Sequence, residues 1–266
     1  MLSAQEYTAG HRSSRPALWN NRGVNQTAIL GDIHGDFERM IGLVGDLAAD
    51  THLVVVGDYF DRWPHAMEAV RWLMARPNTT ALLGNHDALI LGVLAEQDRG
   101  TEPARSTESW LWNGGKQEDL DGLRADPEAI EWLKQRPAMV MLGDTLVQHC
   151  DSPVYVNYGG TVDEVNHAFA VRVASGDPEV LFSVFAHLCR RRQFYRLEDL
   201  RQYLGVFGAR ALVHGHTPHV QPAPISLFNG AIVNVDGALS RGFGPEPRGF
   251  VYWLPEQDWS DQTMVR

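Results

Sequence analysis

Gly31-Asp32-Ile33-His34-Gly35-Asp36 is the stretch from which the fold of this chain is read. It follows the apolar run Thr27-Ala28-Ile29-Leu30 and precedes Phe37, Met40, Ile41, Val44 and Leu47, which recur at helical spacing. That pattern predicts a strand, a tight turn and an amphipathic helix. The glycines let the backbone bend sharply. Asp32 and His34, on a loop leaving a buried strand, can point into one cavity and share a metal ion. Whether they do depends on ligands supplied from elsewhere in the chain.

The same unit recurs twice. Leu53-Val54-Val55-Val56 is a continuous apolar run, as expected of a strand covered on both faces, and it ends in Gly57-Asp58-Tyr59-Phe60-Asp61-Arg62. Pro64 suits the first turn of the next helix, whose apolar side is Met67, Val70 and Met74. Thr79 to Leu83 is a third strand, ending in Gly84-Asn85-His86-Asp87 before a helix from about Ala88 to Glu96. Three polar turns then lie side by side at the carboxyl ends of strands, the edge at which open α/β sheets bind ligands.

Farther along, residues 98 to 126 turn polar around Trp110, Trp112 and Asn113-Gly114-Gly115 and predict a partly helical insertion, one wall of the site. Pro127 to Gln135 predicts a short helix, and Met139–Leu142 with Thr145–Gln148 a strand pair ending at His149. Residues 163 to 207 read as largely helical, and Arg210 to Val213 as a strand ending in His214-Gly215-His216-Thr217-Pro218. Asn229-Gly230 marks a hairpin within Ile225–Val235, and Gly249 to Leu254 a last strand. Residues 1–25 read as an irregular arm and 26–266 as a single domain.

The 266 residues are 44% hydrophobic and 21% charged, ordinary for a soluble globular protein. A formal net charge of -10 disfavours nucleic acid as partner. Two cysteines, Cys150 and Cys189, make no disulfide framework. No signal-peptide pattern or membrane-length apolar run occurs, so the expectation is a cytoplasmic protein with no membrane partner. Oligomeric state is not legible.

Asp32, His34, Asp58, Asn85, His86, His149, His214 and His216 all follow apolar runs. One carboxylate, Asp58, can bridge two cations, with Asp32 and His34 completing one ligand set and Asn85, His149 and His216 the other. Mixed carboxylate, amide and imidazole donors without thiolate suit Mn²⁺, Fe or Zn²⁺. Two ions about 4 Å apart would acidify a bridging water and clamp a phosphoryl group. For His11, His52, His65, His167, His187 and His219 the ordinary reading, a hydrogen-bonded surface or core histidine, is preferred. Asp36, Asp46 and Asp87 read as caps or turn formers, and Cys150 as structural.

Taken in order, Gly31–Asp36, Gly57–Arg62, Gly84–Asp87, the strand-terminal His149 and Gly215-His216-Thr217 resemble the signature of the calcineurin-like metallophosphoesterases. The resemblance is strongest to the serine/threonine phosphoprotein phosphatase branch and its bacterial relatives, which include symmetrical dinucleoside tetraphosphatases. It implies an α/β fold, a four-layer α-β-β-α sandwich of two mixed sheets, with a dinuclear metal site at the carboxyl ends of the strands. It implies Asp32, His34 and Asp58 on the first metal, and Asp58, Asn85, His149 and His216 on the second. His86 would be the general acid oriented by Asp61, and Arg62, Asn85 and Arg190 would bind the substrate phosphate, with Arg191 and Arg192 close behind Arg190. His214 is placed behind the ligands rather than among them. The cofactors implied are two divalent ions, Mn²⁺ first and Fe or Zn²⁺ next.

Two departures bear on the substrate cleft. Trp63 stands where the family has glycine after the Asp-Arg pair, and Cys150-Asp151-Ser152-Pro153 replaces small residues after the strand-terminal histidine. The expected reaction is hydrolysis of a phosphate monoester by direct attack of a metal-bridging hydroxide, of the serine/threonine protein phosphatase type, on a phosphoprotein or small phosphate ester. Hydrolysis of a dinucleoside polyphosphate anhydride is the alternative. A non-catalytic regulatory domain on the same fold is disfavoured, because every ligand and the His86–Asp61 pair are present.

Overall fold

The apolar runs read as strands assemble into two mixed sheets in a computed structural model that describes residues 26–100, 104–246 and 248–254. The expected N-terminal arm, with His11, and the last residues of the expected domain lie outside the described residues. The first sheet has the order β3-β2-β1-β9, from β1 (Thr27–Leu30), β2 (His52–Val55), β3 (Thr79–Ala81) and β9 (Val251–Trp253). β1 pairs parallel with β2 and β2 with β3, while β9 closes the edge antiparallel to β1. The second sheet has the order β4-β5-β6-β8-β7, from β4 (Met139–Leu142), β5 (Thr145–Gln148), β6 (Ala211–His214), β7 (Ile225–Leu227) and β8 (Ile232–Asn234). Its centre, β5-β6-β8, is parallel, and both edge pairs are antiparallel.

Strand side chains alternate between faces, so each apolar run serves two layers. Ile29, Val54, Val56 and Leu82 meet Val147, Val213, Val233 and Val235 between the sheets. The intervening Ala28, Leu30, Leu53 and Val55 join the cluster containing Met40 and Val44 of α1 (Phe37–Val44) and Val70 of α2 (Ala66–Ala75). On the second sheet Leu146 and Leu212 belong to the cluster with Leu200 and Leu204 of α9 (Leu197–Phe207). Burying each such side chain contributes roughly 1.5–3 kcal/mol. The expected sandwich of two mixed sheets with helices outside is the observed architecture.

Several boundaries differ from expectation. The first helix ends at Val44, short of Leu47, where Gly45 donates to Ile41 O and closes the last turn. The third, α3 (Asn85–Arg99), starts three residues before Ala88, because the Asp87 carboxylate accepts from Gly84 N at 2.8 Å and closes the first turn. Asn85 and His86 are therefore helical residues, not loop residues. Ala88 through Leu94 are all buried, the mark of a helix inside a core.

In the 98–126 insertion the described residues form two helices, α4 (Arg105–Trp112) and α5 (Gln117–Ala125), and α6 (Pro127–Lys134) follows. The start of α4 has no side-chain cap of its own. Buried Glu96 of α3 supplies one, accepting from Ser106 N at 2.6 Å and Thr107 N at 2.9 Å, which also sets negative charge at the positive helix end. The helical stretch before β6 is α7 (Val162–Ala174), α8 (Pro178–Leu188) and α9, with Asp177 capping α8. No helix among the described residues is long and apolar enough to cross a membrane.

Candidate active site

The loops leaving β1, β2, β3, β5 and β6 converge on one buried crevice. Their backbones are unusual: His34, Asp58, Asp61, Arg62 and His216 all have φ between 47° and 70°, a region that costs a non-glycine residue about 1 kcal/mol or more. Surrounding hydrogen bonds hold them there. Asp58 O accepts from Ile33 N and His34 N at 3.0 and 2.8 Å, tying the first turn to the second. Asp87 ties the second to the third, its buried carboxylate accepting from Asp58 N, Tyr59 N and Gly84 N at 2.8 to 2.9 Å. Asp87 is a cap, as expected, through Gly84 N at the start of α3, and it is also a clamp across the second and third turns. Asp36 caps α1 as expected, accepting from Arg39 N, and also receives Arg241 N at 2.8 Å.

Close packing explains two of the glycines. A Cβ on Gly84 would lie 2.2 Å from Asp58 Oδ1, and one on Gly215 would lie 2.3 Å from Asp32 Oδ1. Either side chain would push a site carboxylate out of place.

Two groups of donors sit close enough to hold cations. His34, Asp58 and His86 form one and Asp58, His149 and His216 the other, each with ligand atoms within 4.8 Å of one another. Asp58 is common to both, with Oδ2 3.7 Å from His34 Nε2 and Oδ1 3.6 Å from His149 Nε2. Asn85 Oδ1 lies 2.8 Å and His216 Nδ1 3.2 Å from His149 Nε2. Asp32 is placed beside these groups, its two oxygens each 3.1 Å from His216 N. His214 ends β6 with Nδ1 2.8 Å from Gly215 O and belongs to neither group.

The ring orientations fit metal ligation. His149 Nδ1 faces Val56 O and His34 Nδ1 faces Phe60 O, both at 2.9 Å. A carbonyl can only accept, so each Nδ1 carries the proton and each Nε2 keeps a lone pair. Burial pushes the His149 pKa down to about 3 and holds His34 and His216 well below the usual imidazole value, so all three are neutral. His149 Nε2 therefore aims its lone pair at the Asn85 carbonyl oxygen, acceptor against acceptor. A cation between the two reconciles such a pair. The carboxylates agree: burial, Asp236 and Asp58 together raise Asp32, and burial raises Asp58 to about 7. These are donors short of positive charge, and the set fits divalent ions.

Beside the shared carboxylate stands an acid–base pair. Asp61 Oδ2 is 2.5 Å from His86 Nδ1, with both groups buried. Burial raises Asp61 to about 8 and lowers His86 to about 4. At pH 7 the pair thus holds two protons, one in the Oδ2–Nδ1 bridge and one on His86 Nε2. Arg62 Nη2 lies 3.4 Å from that Nε2, and Arg62 Nε donates to His34 Nε2 at 3.4 Å. Two donors facing one gap suit an anion there.

Arg190 and Arg191 are both exposed; the charge of Arg190 is felt at Tyr158 and His187, and that of Arg191 at His86, His149 and His216. The chain turns just after α8, where Arg192 has φ 55° and donates its N–H to Asp151 Oδ1 at 2.8 Å. Trp63 is half-buried and lies under the Arg241 guanidinium at 5.3 Å. Cys150 is buried against the Tyr155 hydroxyl, and burial raises its thiol far above the usual range.

Some site residues escaped sequence reasoning. Trp110 Nε1 donates to Asp61 Oδ1 at 2.7 Å, and Asp119 Oδ2 accepts from Asp61 N at 3.0 Å. The segment after β8 carries Asp236 beside Asp32, Ser240 whose hydroxyl donates to His34 O at 2.9 Å, and Phe243 under the Arg62 guanidinium at 4.8 Å. Asp236 was findable: it follows Ile232-Val233-Asn234-Val235 just as Asp32 follows its own strand. Phe243 carries no comparable signal.

Comparison with known proteins agrees with this geometry. The family model for calcineurin-like phosphoesterases matches residues 26–220. A Klebsiella pneumoniae protein named symmetrical bis(5'-nucleosyl)-tetraphosphatase is 30% identical over 82% of this chain and 79% of its own length. A Serratia proteamaculans protein of the same name is 30% identical over 42% of this chain, which spans only 38% of that relative. Among solved structures, a cold-active protein-tyrosine phosphatase of a psychrophilic Shewanella shares the fold, with TM-score 0.60 and 21% identity over 85% of this chain and 74% of that one.

Proposed function

We propose that this chain, which belongs to the calcineurin-like phosphoesterase family, is a metal-dependent hydrolase of phosphoanhydrides of the dinucleoside polyphosphate type. The observation that carries the hydrolytic reading is the Asp61–His86–Arg62 constellation set against the shared carboxylate Asp58. The name of the Klebsiella relative, matched along most of both chains, supports the substrate class. We therefore put the anhydride ahead of the monoester, the reverse of the order read from sequence.

Asp58 would serve both of two divalent ions, with His34 and Asp32 on one side and Asn85, His149 and His216 on the other; His86, near His34 and Asp58, is kept for the proton because its Nδ1 faces Asp61. When bound, such ions supply a water acidic enough to ionise near neutral pH and positive charge for the phosphoryl oxygens. The remaining work falls to side chains. Arg62 and Arg191 grip the phosphate oxygens, and Phe243 backs Arg62. His86 gives its Nε2 proton to the leaving oxygen as the P–O bond breaks. The bridge proton passes from Asp61 Oδ2 to His86 Nδ1, leaving a neutral imidazole and an Asp61 carboxylate. Attack by water rather than by a side chain leaves no phosphoenzyme.

A second reading, a phosphate monoesterase acting on phosphoproteins, is favoured by one observation. Arg62 lies 3.4 Å from His86, the charge of Arg191 is felt at the same histidine, and paired guanidiniums suit a terminal phosphate dianion. Phosphate release after chelation and readdition of Mn²⁺, Zn²⁺, Fe²⁺ or Mg²⁺ separates the two. We expect dinucleoside tetraphosphate to exceed phosphopeptide and aryl phosphate in kcat/KM; the opposite order would establish the monoesterase.

A further inference from the structure

Asp61 can orient His86 only if Asp61 is itself fixed, and the fixing groups come from the insertion. Its backbone N–H is held by Asp119 Oδ2 of α5 at 3.0 Å, its Oδ1 by the indole N–H of Trp110 of α4 at 2.7 Å, and its Oδ2 faces His86 at 2.5 Å. Trp110 is 3% exposed, so its N–H meets Asp61 away from bulk solvent. The chain closes on the back of the ring: Gly115 N donates to Trp110 O at 2.9 Å, and a Cβ on Gly115 would lie 2.2 Å from the indole. The next residue back, Gly114, accepts Arg62 N at 2.9 Å. One turn of the insertion thus grips both the acid pair and the phosphate arginine.

We propose that Trp110 is a positioning residue for protonation of the leaving group, its indole N–H holding the Asp61 carboxyl in the one rotation that presents Oδ2 to His86. This rests on the reading of His86 as general acid. An indole has one donor and no acceptor, so it can bind Asp61 in one sense only and leaves the second oxygen to the imidazole. A buried carboxyl without that donor would turn to find another, and His86 would lose its partner. Trp110 acts through Asp61 and His86 and touches no substrate.

The test compares aryl phosphates of graded leaving-group acidity, from p-nitrophenyl to phenyl, in the metal-reconstituted enzyme. Trp110→Phe keeps an aromatic ring and removes the N–H. Its kcat should fall about tenfold for phenyl phosphate and much less for p-nitrophenyl phosphate, with KM and metal content unchanged. Because Phe leaves a small void, Trp110→benzothienylalanine, which replaces N–H by sulfur at nearly constant shape, should give the same split. In a His86→Asn background Trp110→Phe should add nothing, since both act on one proton transfer. In the metal-free protein, the far-downfield NMR line of the Asp61–His86 bridge proton should move or vanish in Trp110→Phe and persist in Trp112→Phe, where the ring is exposed. A uniform loss across leaving groups, an additive effect in His86→Asn, or an unchanged bridge proton would overturn the proposal. If His86→Asn itself loses activity equally for all leaving groups, the general-acid reading fails instead.

Discussion

His34, Asp58, Asp61, Arg62 and His216 share a backbone conformation that side chains avoid, and all of them lie on the loops that converge on the crevice. The strain is sustained by hydrogen bonds between loops, above all those of Asp87 and Asp58. At this scale the roles can be separated by single changes. His86→Asn removes the proposed proton donor but no proposed metal ligand; kcat is expected to fall ~100-fold or more, with metal content by mass spectrometry unchanged. Gly84→Ala should do the reverse. Its new methyl would collide with Asp58 Oδ1, so bound metal should fall below the wild-type stoichiometry, and activity should recover in part at high metal concentration. Retained stoichiometry with normal activity would show that Asp58 is not so tightly placed.

Elements, rather than residues, decide which polar groups meet. The start of α3 lifts Asn85 and His86 onto a first helical turn, and its last turns carry Glu96, which caps α4. Through α4 the same helix supports Trp110 and so the acid pair at its own beginning. Glu96→Ala would leave the Ser106 and Thr107 N–H groups without an acceptor, costing roughly 1–3 kcal/mol in denaturant unfolding. Activity on poor leaving groups should drop with it, because α4 is loosened. Local chemistry was enough to read some elements: Asn229 and Gly230, at φ 55° and 91°, make the turn between β7 and β8. It was not enough for the start of α3, where the deciding bond is side chain to backbone, or for the two helices of the insertion.

The whole molecule sets the electrostatics. Burial raises Asp61 from 3.8 to about 8 and Asp119 to about 7, so their stabilisation is lost as pH rises from the unfolded value through the folded one. His149 and His86, lowered from 6.5 to about 3 and about 4, contribute fully above 6.5 and lose their contribution as pH falls toward those values. The two trends oppose each other in mildly acidic solution, and above about 6.5 only the carboxylates act. The chelated protein should therefore melt at a lower temperature at pH 8 than at pH 6.5. A saturating divalent ion should raise Tm at both values and narrow the gap, since its proposed ligand Asp58, raised to about 7 by burial, must lose a proton to bind it and does so more readily at pH 8. Equal melting at both pH values in chelator would contradict burial as the cause.

The chain's own order of residues determined the β/α alternation, the strand-end positions of Asp32, Asp58, Asn85, His149 and His216, and the pairing of Asp61 with His86 as candidates. Each of these is signalled locally, by an apolar run followed by a polar turn. Tertiary structure alone supports the proposal of Arg191 over Arg190, and it alone decided the clamp role of Asp87, the support of Asp61 by Trp110 and Asp119, and the return of Ser240 and Phe243 to a turn some 200 residues earlier. These depend on contacts between distant segments. Such contacts are not encoded in spacing along the chain; they follow from how the two sheets and the insertion pack.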